Sequence, residues 1–92
     1  MRRAGRTDLQ GKMKERCPCC GYRTLSELGG FDLCAVCYWE DDGQTDADTD
    51  EVRGGPNGVL SLTQGRANYH DFGACDRRFL ENVRPPMPDE FG

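Results

Sequence analysis

Cys17-Pro18-Cys19-Cys20-Gly21 is followed, thirteen residues on from Gly21, by Cys34-Ala35-Val36-Cys37, and these two clusters decide the fold. Paired as Cys17/Cys20 and Cys34/Cys37 they read C-x2-C-x13-C-x2-C, the spacing of a four-cysteine zinc site. Each two-residue gap lets a tight turn aim two sulfurs at one ion, and a borderline-soft tetrahedral ion suits four thiolates. Pro18 presets φ inside the first turn, and Gly21 lets the backbone approach sulfur. Registers that use Cys19 lose the two-residue gap. Four thiolates leave no open position for water or substrate, so the expected role of one Zn2+ here is structural.

Composition explains why such a staple is needed. The chain has 92 residues, of which 36% are apolar, too few for comfortable stability from a core alone. Zinc-finger peptides gain about 10–16 kcal/mol from their metal, against about 5–15 kcal/mol for a whole domain, so the metal-free chain is expected to be largely unfolded. Six cysteines in a short chain could instead form a secreted disulfide framework. The leading stretch MRRAGRTDLQGKMKER is basic and polar, with no apolar run, so neither export nor a membrane span is expected. The expected setting is the cytoplasm, where paired cysteines are more often metal ligands than disulfides. A thioredoxin-like exchange site needs a βαβ setting that this chain does not offer.

Charge divides the chain. Residues 1–16 carry six Lys or Arg against Asp8 and Glu15, and the rest carries six Arg against fourteen acids. Residues 1–16 therefore read as a basic, disordered arm, residues 17–86 as the domain, and residues 87–92 as an extended tail.

Within the domain, Thr24-Leu25-Ser26-Glu27-Leu28, Gly29-Gly30 and Phe31-Asp32-Leu33-Cys34 read as strand, turn and strand. This hairpin would return the second cysteine pair beside the first, with Leu25 sharing a layer with Phe31 or Leu33. Residues 40–51 hold seven acids and no base, and Arg53-Gly54-Gly55-Pro56-Asn57-Gly58 is a chain of turns. Order returns at Ser61, which with Gln64 fits a capping box opening a helix from Leu62 to about Phe72. Leu62, Gly65, Arg66, Tyr69 and Phe72 share one face, and Gly73 ends the helix. Asp76 can cap a short turn carrying Phe79, Leu80 and Val83, before Pro85, Pro86 and Pro88.

The segments CPCCGYRTLSELGGFDLCAVCYWEDDGQ and DEVRGGPNGVLSLTQGRANYHDFGACDRRFLENVRPP together resemble the bacterial cysteine-rich CPCC family over residues 17–86. The doubled cysteine, the WEDDG segment, the RGGPNG turn and the helix occur in that order. The resemblance implies a small zinc-ribbon-like domain and supplies no catalytic residue.

The expected fold class is thus a small metal-stabilised α+β domain: a zinc-ribbon-like β-hairpin with two cysteine knuckles, then an acidic loop and one or two C-terminal helices. Cys19, His70 and Cys75, with Asp71 or Asp76, are candidates for a second metal site or for extra thiols. The plainer reading makes Cys75 a buried hydrophobe, Cys19 a projection from the knuckle and His70 a solvent-facing helix residue. Asp46, Asp48 and Asp50 alternate like calcium ligands, but Glu51 stands where an EF-hand needs glycine and Asn57 where it needs glutamate. Arg66 and Arg77-Arg78 could pair with the acidic loop, although a run without counter-charges slightly favours a loop left free for a basic partner.

The expected function is that of a non-enzymatic zinc-binding module acting through protein contact, with Tyr38, Trp39, Asp41 and Asp42 as the candidate surface. A Trp packed over the knuckle is an equal reading of Trp39. The alternative is nucleic-acid binding through the basic arm, which the acidic body opposes. An enzyme would need a nucleophile, a base and a pocket, and none is evident.

Overall fold

The computed structural model describes residues 14–91. The disordered-arm reading of residues 1–13 lies outside the described residues. The remainder of the expected arm is corrected: Glu15–Arg16 is strand β1, paired antiparallel with β2, Arg23–Leu25. The register sets Glu15 opposite Leu25 and Arg16 opposite Arg23, with an irregularity between Glu15 and Arg16. The first cysteine cluster is the reversal that joins them.

The expected hairpin across Gly29-Gly30 is therefore also corrected. Strand pairing crosses each cysteine knuckle, where the turn reverses the chain, and Leu33 bridges Glu40 across the second knuckle. The 26–32 loop is closed by side chains: the Ser26 amide donates to Asp32 Oδ2 at 2.6 Å, and the Gly29 amide donates to Asp41 Oδ2 at 2.6 Å. Leu25 is buried, whereas Phe31 and Leu33 are 56% and 45% exposed, so they do not share its layer.

The acidic stretch is irregular but stitched down. Gln44 is buried, and its Nε2 donates to the carbonyls of Asp48 (2.9 Å) and Glu51 (2.7 Å). Arg53 donates to the Asp42 carbonyl at 3.0 Å and pairs with Asp48 and Glu51. Arg66 meets Asp46 at 2.8 Å, while Thr63 donates to Asp50 at 2.7 Å. The free acidic loop is thus corrected. Of the expected counter-ions only Arg66 reaches it, because Arg78 is held by Asp76 instead. Asn57 is buried at the turn that follows, accepting from the Glu40 amide and donating to the Glu40 carbonyl like a strand neighbour.

Helix α1, Leu62–Phe72, has the bounds its caps dictate. Ser61 Oγ accepts from the Gln64 amide at 3.1 Å. The Gln64 side chain turns to Asn68 instead of back to Ser61, so half of the capping box forms. Gly73 adopts φ 92° and donates its amide to the Tyr69 carbonyl. Asp76 caps a single 3-10 turn, Arg77–Phe79. The expected extended tail is corrected as well. Pro88–Glu90 forms a 3-10 turn, Glu90 grips Arg84 through two 2.8 Å bonds, and Phe91 packs edge-on against Tyr22 at 5.3 Å.

The core joins Leu25, Val36, Trp39, Leu60 and Leu62 to the buried sulfurs. A side chain at Gly65 would fill the space taken by Trp39, since a Cβ there would lie 3.2 Å from the indole ring. Helix α1 therefore rests directly on the second knuckle's tryptophan.

Candidate metal centre

The two knuckles share one backbone pattern. The Cys17 amide donates to the Tyr22 carbonyl (2.8 Å), and the Gly21 amide donates to the Cys17 carbonyl (2.8 Å). Seventeen residues later, the Cys34 amide donates to the Trp39 carbonyl (3.0 Å) and the Tyr38 amide to the Cys34 carbonyl (2.7 Å). Arg16 opposite Arg23 and Leu33 opposite Glu40 are the matching flanks.

These turns bring the sulfurs of Cys17, Cys20, Cys34 and Cys37 within 4.8 Å of one another. Cys17 and Cys37 are 3.6 Å apart, as are Cys20 and Cys34, and all six cysteines are free thiols. Four sulfurs bound tetrahedrally at ~2.3 Å would stand about 3.8 Å apart, so the cluster is close to the size such an ion requires. The donor set suits a soft or borderline divalent ion.

Electrostatics point the same way. The Cys34 thiol is held far below the usual thiol range by the sulfurs of Cys17, Cys20 and Cys37, with the Thr24 hydroxyl adding to the effect. Cys17 is pushed up by Cys20 and Cys34, and Cys37 by Cys17 and Cys19. Cys20 is pulled down by Cys17 but raised overall by Cys34 and Cys37. Crowded sulfurs disfavour ionising together, and a bound cation would offset that repulsion and displace their protons. Thr24 Oγ1 donates to Cys34 Sγ at 2.9 Å, the Cys37 amide to Cys34 Sγ at 3.5 Å, and the Trp39 amide to Cys37 Sγ at 3.4 Å.

A matching family profile extends from Glu15 to Glu90 and carries the description Cysteine-rich CPCC. The chain belongs to the cysteine-rich CPCC family. The match takes in β1 and the folded tail, both beyond residues 17–86. No curated protein and no solved structure matches the chain. Among the described residues of this CPCC domain, no helix is long and apolar enough to cross a membrane.

The other candidate residues form no second ligand cluster among the described residues. His70 and Asp71 are exposed, and Asp76 is occupied as a cap, so the second metal site from Cys19, His70 and Cys75 is not assembled among the described residues. Cys75 is buried beneath the second knuckle, its amide bonded to the Cys37 carbonyl at 2.8 Å, and burial pushes its thiol up to about 12. Cys19 does not project. It is 7% exposed and lies where a Gly65 side chain would go.

The candidate contact surface is corrected in the same way. Trp39 is 0% exposed and Asp41 1%, because the indole fills the notch at Gly65 and the Asp41 carboxylate caps the amides of Gly29 and Gly43. The indole N–H has no acceptor among the described residues, so packing holds the ring. Tyr38 and Asp42 remain partly exposed. The roles of Thr24, Gln44, Asn57 and Gly65 are not legible in the sequence, because nothing local marks the distant groups they serve.

Proposed function

We propose that this CPCC domain is a non-enzymatic, zinc-ribbon-like module whose single structural Zn2+ is held by Cys17, Cys20, Cys34 and Cys37. The observation that carries the reading is the closure of two equivalent knuckles to sulfur separations of 3.6 Å. When bound, the ion would supply the cross-link that a thin core needs, holding both knuckles to each other. Thr24 and the amides of Cys37 and Trp39 would orient and neutralise the thiolates.

Native mass spectrometry with elemental analysis tests the metal, and circular dichroism before and after chelation tests its role. One zinc per chain and collapse of the fold on chelation are expected. A metal-free chain with intact structure would overturn the proposal.

The protein-contact role is carried forward on a revised surface, since Trp39 and Asp41 are interior. Leu28 and Phe31 are 61% and 56% exposed on a loop running beside acidic residues 40–42. The fitting partner is a protein segment that offers basic and apolar side chains together. Capture of one defined partner that is weakened by salt, and lost in a zinc-loaded Leu28→Ser/Phe31→Ser variant, would support this surface. Equal capture by the variant would reject it.

A further inference from the structure

The four sulfurs of the metal centre are not equivalent. Cys17 is 1% exposed, and Cys34 and Cys37 are 0% exposed, whereas Cys20 is partly open to solvent. Hydrogen-bond donors are shared out just as unevenly. Thr24 Oγ1 and the Cys37 amide serve Cys34, and the Trp39 amide serves Cys37. Cys20 Sγ faces the Cys34 sulfur at 3.6 Å and receives no amide or hydroxyl donor among the described residues.

A thiolate is the nucleophilic form of cysteine, and each hydrogen bond it accepts draws down the electron density it can donate. Cys17 also lacks such a donor, but it is sealed from solvent. Access and undamped electron density coincide at Cys20. Cys20 lines an open hollow of about 590 Å³ together with Cys19, Tyr22, Arg66, Tyr69 and His70, and of its two cysteines only Cys20 belongs to the metal quartet.

We propose that Cys20 is the modification site of the domain, a metal-held thiolate presented to soft carbon electrophiles through the Tyr22–Tyr69 hollow. In the step, a sulfur lone pair attacks the electrophilic carbon, an S–C bond forms, and the bond from carbon to its leaving group breaks. The leaving group departs with that electron pair, and neither an oxidant nor a proton donor is consumed. The product is a thioether, a neutral and poorer metal ligand, so alkylation would weaken the centre.

The inference rests on the zinc reading above, and one experiment separates the two. The zinc-loaded full chain is treated with substoichiometric iodoacetamide, metal content is counted by native mass spectrometry, and the adduct is located by fragmentation. The expected result is one zinc per chain, with the first carbamidomethyl group on Cys20 at about tenfold excess over Cys19 or any other cysteine. Cys20→His keeps four donors for zinc and is expected to retain the metal and lose the fast labelling. One bound zinc with label first on Cys19 or Cys75, or spread evenly, overturns the assignment of Cys20 and leaves the metal reading intact. Fast labelling that persists in zinc-loaded Cys20→His overturns it equally, while a chain without zinc overturns both.

Discussion

Tyr38 stands where Gly21 stands: each follows the second cysteine of its knuckle, with φ of 71° and 85°, and each donates its amide to the first cysteine's carbonyl. The turn demands a left-handed residue at this place, and only the first knuckle meets the demand with glycine. Tyr38 bears the strain while its ring packs on Phe79 at 4.8 Å. At Gly21 nothing lies within 4 Å of an added Cβ, so Gly21→Ala isolates the backbone cost. A loss of about 1 kcal/mol is expected in denaturant titration of the zinc-loaded protein. An unchanged midpoint would show that the turn relaxes out of the left-handed region.

Gly65→Ala sets two effects against each other. Alanine improves the intrinsic helix preference by about 1 kcal/mol. Its Cβ would lie 3.2 Å from two Trp39 ring atoms and 3.3 Å from Cys19 Sγ. Both neighbours are buried, and overpacking of this kind costs roughly 1–3 kcal/mol. The steric term is expected to win, giving a net loss of up to about 2 kcal/mol by thermal or chemical unfolding. A stabilised variant would mean that the Trp39 ring has room to move.

These two glycines show how far the sequence was legible. The cysteine quartet, the helix from Leu62 to Phe72 and its caps at Ser61 and Gly73 follow from local chemistry, and all recur in the structure. The Gly29-Gly30 pair misled because a glycine pair favours a hairpin turn wherever strands are free to pair. Here the knuckles themselves reverse the chain and take the strands on both sides. The burial of Trp39 depends on Gly65, twenty-six residues away, and the closure of the acidic loop depends on Gln44 reaching two carbonyls. Spacing rules carry no information on such tertiary contacts.

Thr24→Val keeps the side-chain shape and removes the hydroxyl that donates to Cys34 Sγ at 2.9 Å. Loss of one such partner to a ligand typically lowers metal affinity about 10- to 100-fold. Competition with a chromophoric chelator is expected to show that weakening, with the stoichiometry still one zinc per chain. The effect should grow as pH falls. Removing this donor makes the Cys34 thiolate more basic, so protons compete better with the ion. Unchanged affinity across pH would place the hydroxyl outside the ligand field.

Arg84 hydrogen-bonds Glu90 at both oxygens, and the Met87 amide adds a third bond at 2.7 Å, holding the carboxyl down at about 2 against its ordinary 4.5. A carboxyl depressed on folding contributes stability that is fully present above its unfolded pKa and is lost as pH falls toward the folded one. For Glu90 that window runs from 4.5 down to about 2. Between pH 8 and 5 the tail clamp is therefore insensitive to pH. Glu90→Gln is expected to lower Tm by a few degrees, by the same amount at pH 7.5 and at pH 5.5, in zinc-loaded protein. The wild-type advantage should shrink only in more acid solution, where protons also compete for the thiolates. A difference that already narrows between pH 7.5 and 5.5 would show that the Arg84 clamp does not hold the carboxyl down in solution.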